Sequence, residues 1–310
     1  MRAVRVGLAL GSGAARGLAH IGVLEALVEA GIAPAAVAGT SMGSLVAALY
    51  ARWLDPGRVR EHLLGAFRNP AFTRILGSYW EGVRAARRSA GMRQRLGELK
   101  RALLRATVVA RPSMVSRAQY AGLMQLLVGA DEPLETTRIP CVAVAAGLRS
   151  WRERILVGGS TQRAVAASCS VPGIFPPIPD GDDELVDGGI LLPVPVTPVR
   201  ALGAEFVIAV DVGTEELTET AAIPTGLDIV LRSASISRDA LARIELARAN
   251  LVIAPDVTHL DWFDFHRAEE AIARGAEATR RAIEPWLGRL RARGGAPIDG
   301  PPGGRQAAAG

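Results

Sequence analysis

The sequence predicts an α/β fold in which a mostly parallel central sheet is flanked by helices. Two observations indicate this class. Near the N-terminus, apolar strands alternate with helices, and such alternation requires parallel strands joined by crossover connections. After about residue 135 the alternation resumes, and 310 residues with 49% hydrophobic content are enough for one large core.

The first elements follow a strand–helix–strand–helix order. Val4–Leu10 is a continuous apolar run that ends at a glycine, which is typical of a buried strand. Leu18–Ala30 carries apolar side chains along one helical stripe, and Gly31 occupies its C-terminal cap position. Val37–Gly39 predicts a short strand, and Met42–Leu54 predicts a second helix that ends before an Asp-Pro-Gly sequence.

The middle of the chain departs from this pattern. From Arg84 to Arg117 it carries ten basic residues and one acid, Glu98, and leucines recur at helical spacing. We expect an inserted helical segment over about residues 70–135 that lies on or over the core, outside the sheet. The segment is either a solvated arginine-rich face or a surface that docks on anionic lipid.

The second half returns to strands and helices. The predicted strands are 139–147, 152–159, 185–189 and 205–212, and the predicted helices are 160–170, 226–250 and 266–291. Residues 293–310 are rich in Gly, Pro and Ala, which predicts a disordered tail. We therefore expect residues 1–292 to form a single domain.

Composition limits the functional classes. The formal net charge is +5, but lysine occurs once and the aromatic–basic interleaving of RNA-binding proteins is absent, which argues against a nucleic-acid partner. The only cysteines are Cys141 and Cys169, so neither a disulfide framework nor a cysteine-rich metal site is expected. A reducing compartment is the default, and we expect a cytoplasmic protein with peripheral contact to the inner membrane.

A glycine-rich turn, Gly-Ser-Gly-Ala-Ala-Arg-Gly at residues 11–17, joins the first strand to the first helix. A dinucleotide-binding fingerprint that begins at Gly11 requires glycine where Arg16 stands, and no Gly-Lys-Ser/Thr phosphate loop is present. Nucleotide binding is therefore disfavoured. The N–H groups at such a helix N-terminus still bind anions, including a transient oxyanion.

A second motif, Gly-Thr-Ser-Met-Gly at residues 39–43, follows a predicted strand and precedes a predicted helix. This is the context of a nucleophile elbow, in which a sharp turn lifts a serine hydroxyl out of the sheet while glycines admit neighbouring backbone. Ser41 is therefore the candidate nucleophile. The alternative is a serine that only caps a helix after a buried strand.

A serine nucleophile needs a base. The order serine, acid, histidine leaves His259 and His266 open as members of a triad. The sequence Val-Asp-Gly-Gly at residues 186–189 offers a carboxylate instead, and a carboxylate bonded directly to a serine hydroxyl can accept its proton without an imidazole. Taken alone, Asp187 would be read as part of an ordinary Asp-Gly turn.

Together, the motifs GSGAARG, GTSMG, SVPGIFPP and DGG resemble the patatin-like phospholipase family, from about Val4 to about Val212. The segment DFHRAEEAIARG, which begins at Asp264, also resembles the bacterial RssA-type branch. The resemblance implies a three-layer fold and a Ser–Asp dyad, Ser41 and Asp187, that hydrolyses acyl esters of lipids without a metal or cofactor.

The resemblance also implies roles for further residues. The oxyanion hole falls on the backbone of Ser12, Gly13 and Ala14, where many family members have three glycines, and Arg16 orders the turn. Supporting positions are Gly11, Arg16, Gly17, Gly39, Gly43, Gly188 and Gly189. The loop 172–177 lines the acyl pocket, and the expected lining residues are Met42, Pro172 and Phe175.

Two other functions stay open on the sequence. Members of the RssA-type branch are associated with regulation, so a regulatory or adaptor protein that keeps the fold is one alternative. A membrane- or nucleic-acid-binding protein driven by residues 84–117 is the other. Membrane binding can coexist with catalysis, because a lipid hydrolase must reach its substrate. The lipid cleaved and the oligomeric state are not specified by these motifs.

Overall fold

The computed structural model describes residues 4–75, 112–213 and 226–292. The strands are β1 (Val6–Leu10), β2 (Ala36–Thr40), β3 (Cys141–Gly147), β4 (Arg152–Leu156), β5 (Ile178–Asp180), β6 (Asp183–Asp187), β7 (Phe206–Val210) and β8 (Leu251–Ile253). The helices are α1 (Ala19–Glu29), α2 (Met42–Trp53), α3 (Pro56–Arg68), α4 (Arg117–Val128), α5 (Thr161–Ser168), α6 (Val196–Ala201), α7 (Gly226–Leu246) and α8 (Ala268–Ala292). Short 3₁₀ helices cover Ala14–Leu18, Leu134–Thr136, Gly188–Ile190 and Phe265–Arg267.

The strands form one sheet in the order β5-β6-β3-β2-β1-β7-β8, and β4 also pairs with β3. The pairs β1–β2, β1–β7, β2–β3 and β7–β8 are parallel, whereas β3–β4, β3–β6 and β5–β6 are antiparallel. The predicted α/β class with a mostly parallel sheet is confirmed. The antiparallel strands are confined to the end of the sheet beyond β2.

Helices cover both faces of the sheet and give three layers. On β1, Leu8 and Leu10 pack into the larger core with α1, α2 and α8, while Ala9 points to the opposite core with α6 and α7. The second face is built largely from alanine and valine side chains. The large residues of β1 therefore face the core under α1, α2 and α8, and the small residue Ala9 faces the core under α6 and α7.

Helices α1 and α8 cross at two glycines. A Cβ atom added to Gly22 would overlap the carbonyl oxygen of Ile272, and one added to Gly275 would overlap the carbonyl oxygen of Ala19. Each helix therefore presents a glycine to the backbone of the other. This close approach fixes α1, and with it the glycine-rich turn that precedes α1, against α8.

Strands β2 and β6 meet end to end beside β3. Thr40 of β2 pairs with Val144, and Asp187 of β6 pairs with the next residue of β3, Ala145. Strand β4 pairs with residues 143–147 of β3 and therefore occupies its other side. The carboxyl ends of β2 and β6 consequently face each other, which brings the residue after β2, Ser41, next to the last residue of β6, Asp187.

Several sequence predictions fall partly outside the described residues. Residues 76–111, with most of the arginine-rich run, and the predicted tail 293–310 lie there. The described end of the predicted insertion contains α4, whose N-cap Ser116 and Gln119 form a reciprocal capping box. The boundaries of the single domain and of the inserted segment stay predictions.

Candidate active site

Ser41 sits on a sharp turn between β2 and α2. Its φ of 56° and ψ of −127° are a conformation that residues other than glycine rarely adopt, and it is 7% exposed. A Cβ at Gly39 would overlap the carbonyl of Gly43, and a Cβ at Gly43 would overlap the carbonyl of Leu10. The backbone thus has the geometry of a nucleophile elbow, and both glycines are required by close contact.

Ser168 fixes the backbone of this turn. In the β2–β3 ladder, Val37 N–H donates to the carbonyl of Pro140, so in the same register Ser41 N–H would reach the carbonyl of Val144. Instead, Ser41 N–H donates to Ser168 Oγ at 2.9 Å, and that hydroxyl donates to the Val144 carbonyl at 2.6 Å. The buried hydroxyl is inserted into the last rung of the ladder and holds Ser41 away from β3.

Asp187 lies against Ser41 and is 6% exposed. Burial raises the pKa of its carboxyl group to about 6, while hydrogen bonds from Ser41 and from Gly189 N–H and the charge of Arg238 act in the opposite direction. The Gly189 N–H donates to Oδ1 at 2.8 Å. The serine hydroxyl therefore lies near a carboxylate whose proton affinity is higher than that of an exposed aspartate.

The histidines that the sequence left open as bases bind other partners. His259 Nε2 lies 2.8 Å from Glu270 Oε1, and His266 Nδ1 lies 3.7 Å from Asp264 Oδ1. His20 is fully buried, and its Nε2 hydrogen-bonds the carbonyl of Gly11 at 2.8 Å. Burial lowers the pKa of His20 to about 4, so it is neutral and ties α1 to the glycine-rich turn.

The predicted oxyanion turn differs in one respect from expectation. Ser12 N–H already donates to the carbonyl of Pro193 at 2.8 Å, so this donor is used within the chain, and its role in an oxyanion hole stays a prediction. Within the described ranges, the N–H groups of Gly13 and Ala14 have no hydrogen-bond acceptor. Ala14 has a φ of 49°, the left-handed conformation that glycine adopts more readily. Two donors of the predicted three are therefore free for an anion.

Contacts on both sides hold this turn in place. The Arg16 guanidinium is buried and donates to the carbonyls of Leu260 at 2.7 Å and Thr258 at 3.3 Å. Ala15 N–H donates to the carbonyl of Trp262 at 2.9 Å. A side chain at Gly17 would overlap Met42. Arg16 thus links the turn to the loop before α8.

The other predicted glycines lie at close backbone contacts. A Cβ at Gly11 would come within 2.8 Å of the Val210 carbonyl oxygen, and a Cβ at Gly188 would overlap the Val144 carbonyl. At Gly189, a Cβ would lie 3.0 Å from Asp187 Oδ1 and from Ser12 Oγ. The Asp-Gly-Gly sequence therefore allows the ends of β1, β3 and β6 to converge on the carboxylate.

An apolar cavity of about 70 Å³ adjoins Ser41. Met42 and Phe175 line it, as the sequence predicts, but Pro172 is exposed and lies outside the lining, where Val171 and Ile174 stand instead. The remaining lining residues are Ala14, Leu45, Phe67, Phe72, Leu123, Met124, Leu127, Cys169, Trp262, Phe263 and Phe265. Ser41, the candidate nucleophile, thus faces an apolar space.

Two residues at the site carry no sequence signal. Ser168 stands in a helix of small residues, and Arg238 is one of many arginines in the chain. Arg238, on α7, donates to the carbonyl of Gly213 and, at 3.4 Å, to Ser12 Oγ. Their roles depend on contacts across more than 100 residues of sequence, which spacing alone does not specify.

Comparison with known sequences identifies relatives of the chain. A family model described as "Patatin-like phospholipase" matches residues 8–200, more than half of the chain. "Lysophospholipase NTE1" of Pyricularia oryzae is 28% identical over 317 residues, which is 94% of this chain and 19% of the relative. Human "Patatin-like phospholipase domain-containing protein 6" is 31% identical over 216 residues, which is 69% of this chain and 14% of the relative.

The chain spans about a fifth or less of the length of these curated relatives. Among solved structures, VipD from Legionella pneumophila aligns with a TM-score of 0.46 and 14% identity, over 92% of this chain and 67% of that one. In the described ranges, none of the helices combines the length and apolar character needed to cross a membrane.

Proposed function

The chain belongs to the patatin-like phospholipase family, and on this basis we propose that it is a serine hydrolase that cleaves carboxylic esters of lipids. The single observation that carries the proposal is the closeness of Ser41, in its strained turn, to the buried carboxylate of Asp187. A serine held in a strained turn against a carboxylate of raised pKa is the pairing that direct proton transfer requires.

In the proposed reaction, Asp187 accepts the hydroxyl proton as Ser41 Oγ attacks the ester carbonyl carbon. The N–H groups of Gly13 and Ala14 bind the oxyanion of the tetrahedral intermediate. When the intermediate collapses, Asp187 returns the proton to the departing alcohol and an acyl-serine forms. Water then attacks the acyl group, Asp187 takes its proton, and the fatty acid leaves as that proton returns to Ser41.

We propose a phospholipid or lysophospholipid as the substrate. The apolar cavity beside Ser41 supports an acyl chain as the bound group. Two of the relatives carry names that specify the class, a lysophospholipase and a patatin-like phospholipase domain-containing protein. Neither observation distinguishes one headgroup or ester position from another, so the test has to compare lipids directly.

The test is release of fatty acid from a panel of phospholipids, lysophospholipids and neutral glycerides, with Ser41→Ala as the control. We expect turnover of at least one phospholipid class by the wild-type protein and loss of that turnover in Ser41→Ala. Turnover that survives in Ser41→Ala would contradict the proposal.

A regulatory or adaptor role is the second reading, and it rests on the likeness of residues 264–275 to the bacterial RssA-type branch. We include that branch in the proposal on this segment alone. A fluorophosphonate probe separates the two roles, because an adaptor does not need a reactive serine. We expect labelling at Ser41, and folded protein that resists the probe would favour the adaptor.

We also propose peripheral docking on anionic membrane through the arginine-rich residues 84–117. The measurement is binding to vesicles with and without anionic lipid at low and high salt. We expect binding only to anionic vesicles and its loss at high salt, because exposed charges are screened. Equal binding to neutral vesicles would contradict electrostatic docking.

A further inference from the structure

We propose that Arg238 is a positioning residue for catalysis, which anchors the oxyanion turn through the hydroxyl of Ser12 and supplies the positive charge that faces Asp187. This inference rests on the proposed function, because it gives Arg238 a role only if Asp187 acts as the base. Arg238 itself contacts no reacting atom, so it acts through Ser12 and through its electric field.

The contacts form a continuous path from α7 to the dyad. Arg238 Nη2 donates to the carbonyl of Gly213, and Nη1 donates to Ser12 Oγ at 3.4 Å. Ser12 lies against Gly189, whose N–H donates to Asp187 Oδ1 at 2.8 Å. The guanidinium therefore touches the oxyanion turn directly, and its contacts reach Asp187 through Ser12 and Gly189.

Ser12 is the residue that makes this path. Its N–H donates to the Pro193 carbonyl and its hydroxyl accepts from Arg238, so both its backbone N–H and its side chain hold the turn. A glycine at this position would keep the first contact and lose the second. The serine in the turn, which departs from the all-glycine pattern of many family members, thus has a defined partner in this chain.

Arg238 is the cationic group that lowers the pKa of Asp187, against the larger effect of burial. Two other titratable groups influenced by the same carboxylate are Tyr120 and Cys169, and burial raises the pKa of both, so they are neutral near pH 7. At the other end of β6, Glu184 pairs with Arg149 at 3.9 Å. The field at Asp187 therefore depends on Arg238.

The experiment is the pH dependence of kcat and KM on a soluble ester for wild type, Arg238→Met, Arg238→Lys and Ser12→Ala. In Arg238→Met we expect the acid limb of kcat/KM to move up by about half a pH unit and kcat to fall several-fold with KM little changed. Arg238→Lys should keep the wild-type midpoint. Ser12→Ala keeps the charge of Arg238, so it should lower kcat and leave the midpoint of the acid limb of kcat/KM unchanged.

Arg243→Met is the matched control, because it removes an exposed arginine from the same helix, where Arg243 pairs with Asp239. Its midpoint should equal that of the wild type. If Arg238→Met does not fold, Arg238→Gln removes the charge and keeps an amide donor for the Gly213 carbonyl, so the same shift is expected.

The outcomes separate this inference from the proposed function. An unchanged acid limb and kcat in the neutral Arg238 variant, with Asp187→Asn inactive, would overturn the role of Arg238 alone. Full activity in Asp187→Asn would overturn the dyad itself. A midpoint that moves equally in Arg238→Lys and Arg238→Met would show disruption of structure and overturn the electrostatic role.

Discussion

At the scale of the residue, Asp187 combines burial with a position beside Ser41, the proposed nucleophile. A base must be ionised to accept a proton, and burial raises the pKa of this carboxyl group to about 6. We therefore predict that kcat/KM rises with pH through an acid limb centred near 6. A pH–rate profile from pH 4 to 9 measures it, and a profile that is flat between pH 5 and 7 would contradict the assignment.

Single residues also show what sequence can specify at this site. Ser41 and Asp187 could be predicted because each lies in a local turn whose glycines are adjacent in sequence. The hydrogen bond of the Ser12 N–H could not be predicted, because its acceptor, Pro193, comes from a loop 181 positions away. Pro172 was misplaced for a related reason, since the loop turns so that Val171 and Ile174 face the cavity.

At the scale of the element, the hydroxyl of Ser168 ends the β2–β3 ladder and keeps Ser41 away from β3. Ser168→Ala leaves Ser41 N–H and the Val144 carbonyl without the bridging hydroxyl, so they either stay unsatisfied or close the ladder directly. Either result moves Ser41 relative to Asp187. We predict a loss in kcat of at least tenfold, which corresponds to about 1.4 kcal/mol of transition-state stabilisation.

Steady-state kinetics on a soluble ester measure this effect. Ser168→Thr, which restores the hydroxyl, should recover part of the lost kcat, and Ser170→Ala is a control because its hydroxyl bonds Pro176 instead. Wild-type kcat in Ser168→Ala would contradict the role of the inserted hydroxyl.

The crossing of α1 and α8 gives an element-scale prediction about stability. Gly275→Ala places a methyl group against the Ala19 carbonyl, so we expect the free energy of unfolding to fall by about 1–3 kcal/mol. Gly65→Ala, in α3, adds a methyl group where nothing lies within 4 Å and should stabilise by about 0.5–1 kcal/mol. Urea unfolding measures both, and equal effects would contradict the close crossing.

The elements differ in how far sequence predicts them. The buried strands β1, β3 and β7 and helices α1 and α2 follow from long apolar runs and clear caps, and their predicted bounds match closely. Strands β5 and β8 have three residues each, too few for a periodic pattern. The antiparallel pairing of β6 with β3 depends on the end of β2, and no local pattern specifies it.

At the scale of the whole molecule, the buried side chains of Asp187 and His20 change the free energy of unfolding in opposite directions as pH varies. The pKa of Asp187 in the folded protein, about 6, is above the usual 3.8 of an aspartate, so stability falls as pH rises from about 4 to 6. The pKa of His20 in the folded protein, about 4, is below the usual 6.5 of a histidine, so stability falls as pH drops from about 6.5 to 4. Each amounts to about 3 kcal/mol, and the two largely cancel.

Replacement of Asp187 should remove its contribution and leave the pH dependence of stability that comes from His20. In Asp187→Asn the buried charge is gone, so we predict a higher free energy of unfolding than wild type at pH 7.5, by up to about 3 kcal/mol. The His20 contribution remains, so the variant should lose stability from pH 6.5 to 4 more steeply than wild type. Urea unfolding at several pH values measures both, and a variant less stable than wild type at pH 7.5 would contradict the prediction.

The most direct test of the Ser41–Asp187 dyad is the rate of ester hydrolysis in four variants measured side by side: Ser41→Ala, Asp187→Asn, His259→Ala and His266→Ala. We expect the first two to lose about a thousandfold or more in kcat, while both histidine variants keep wild-type rates. Activity retained in Asp187→Asn and lost in either histidine variant would contradict the dyad and favour a triad.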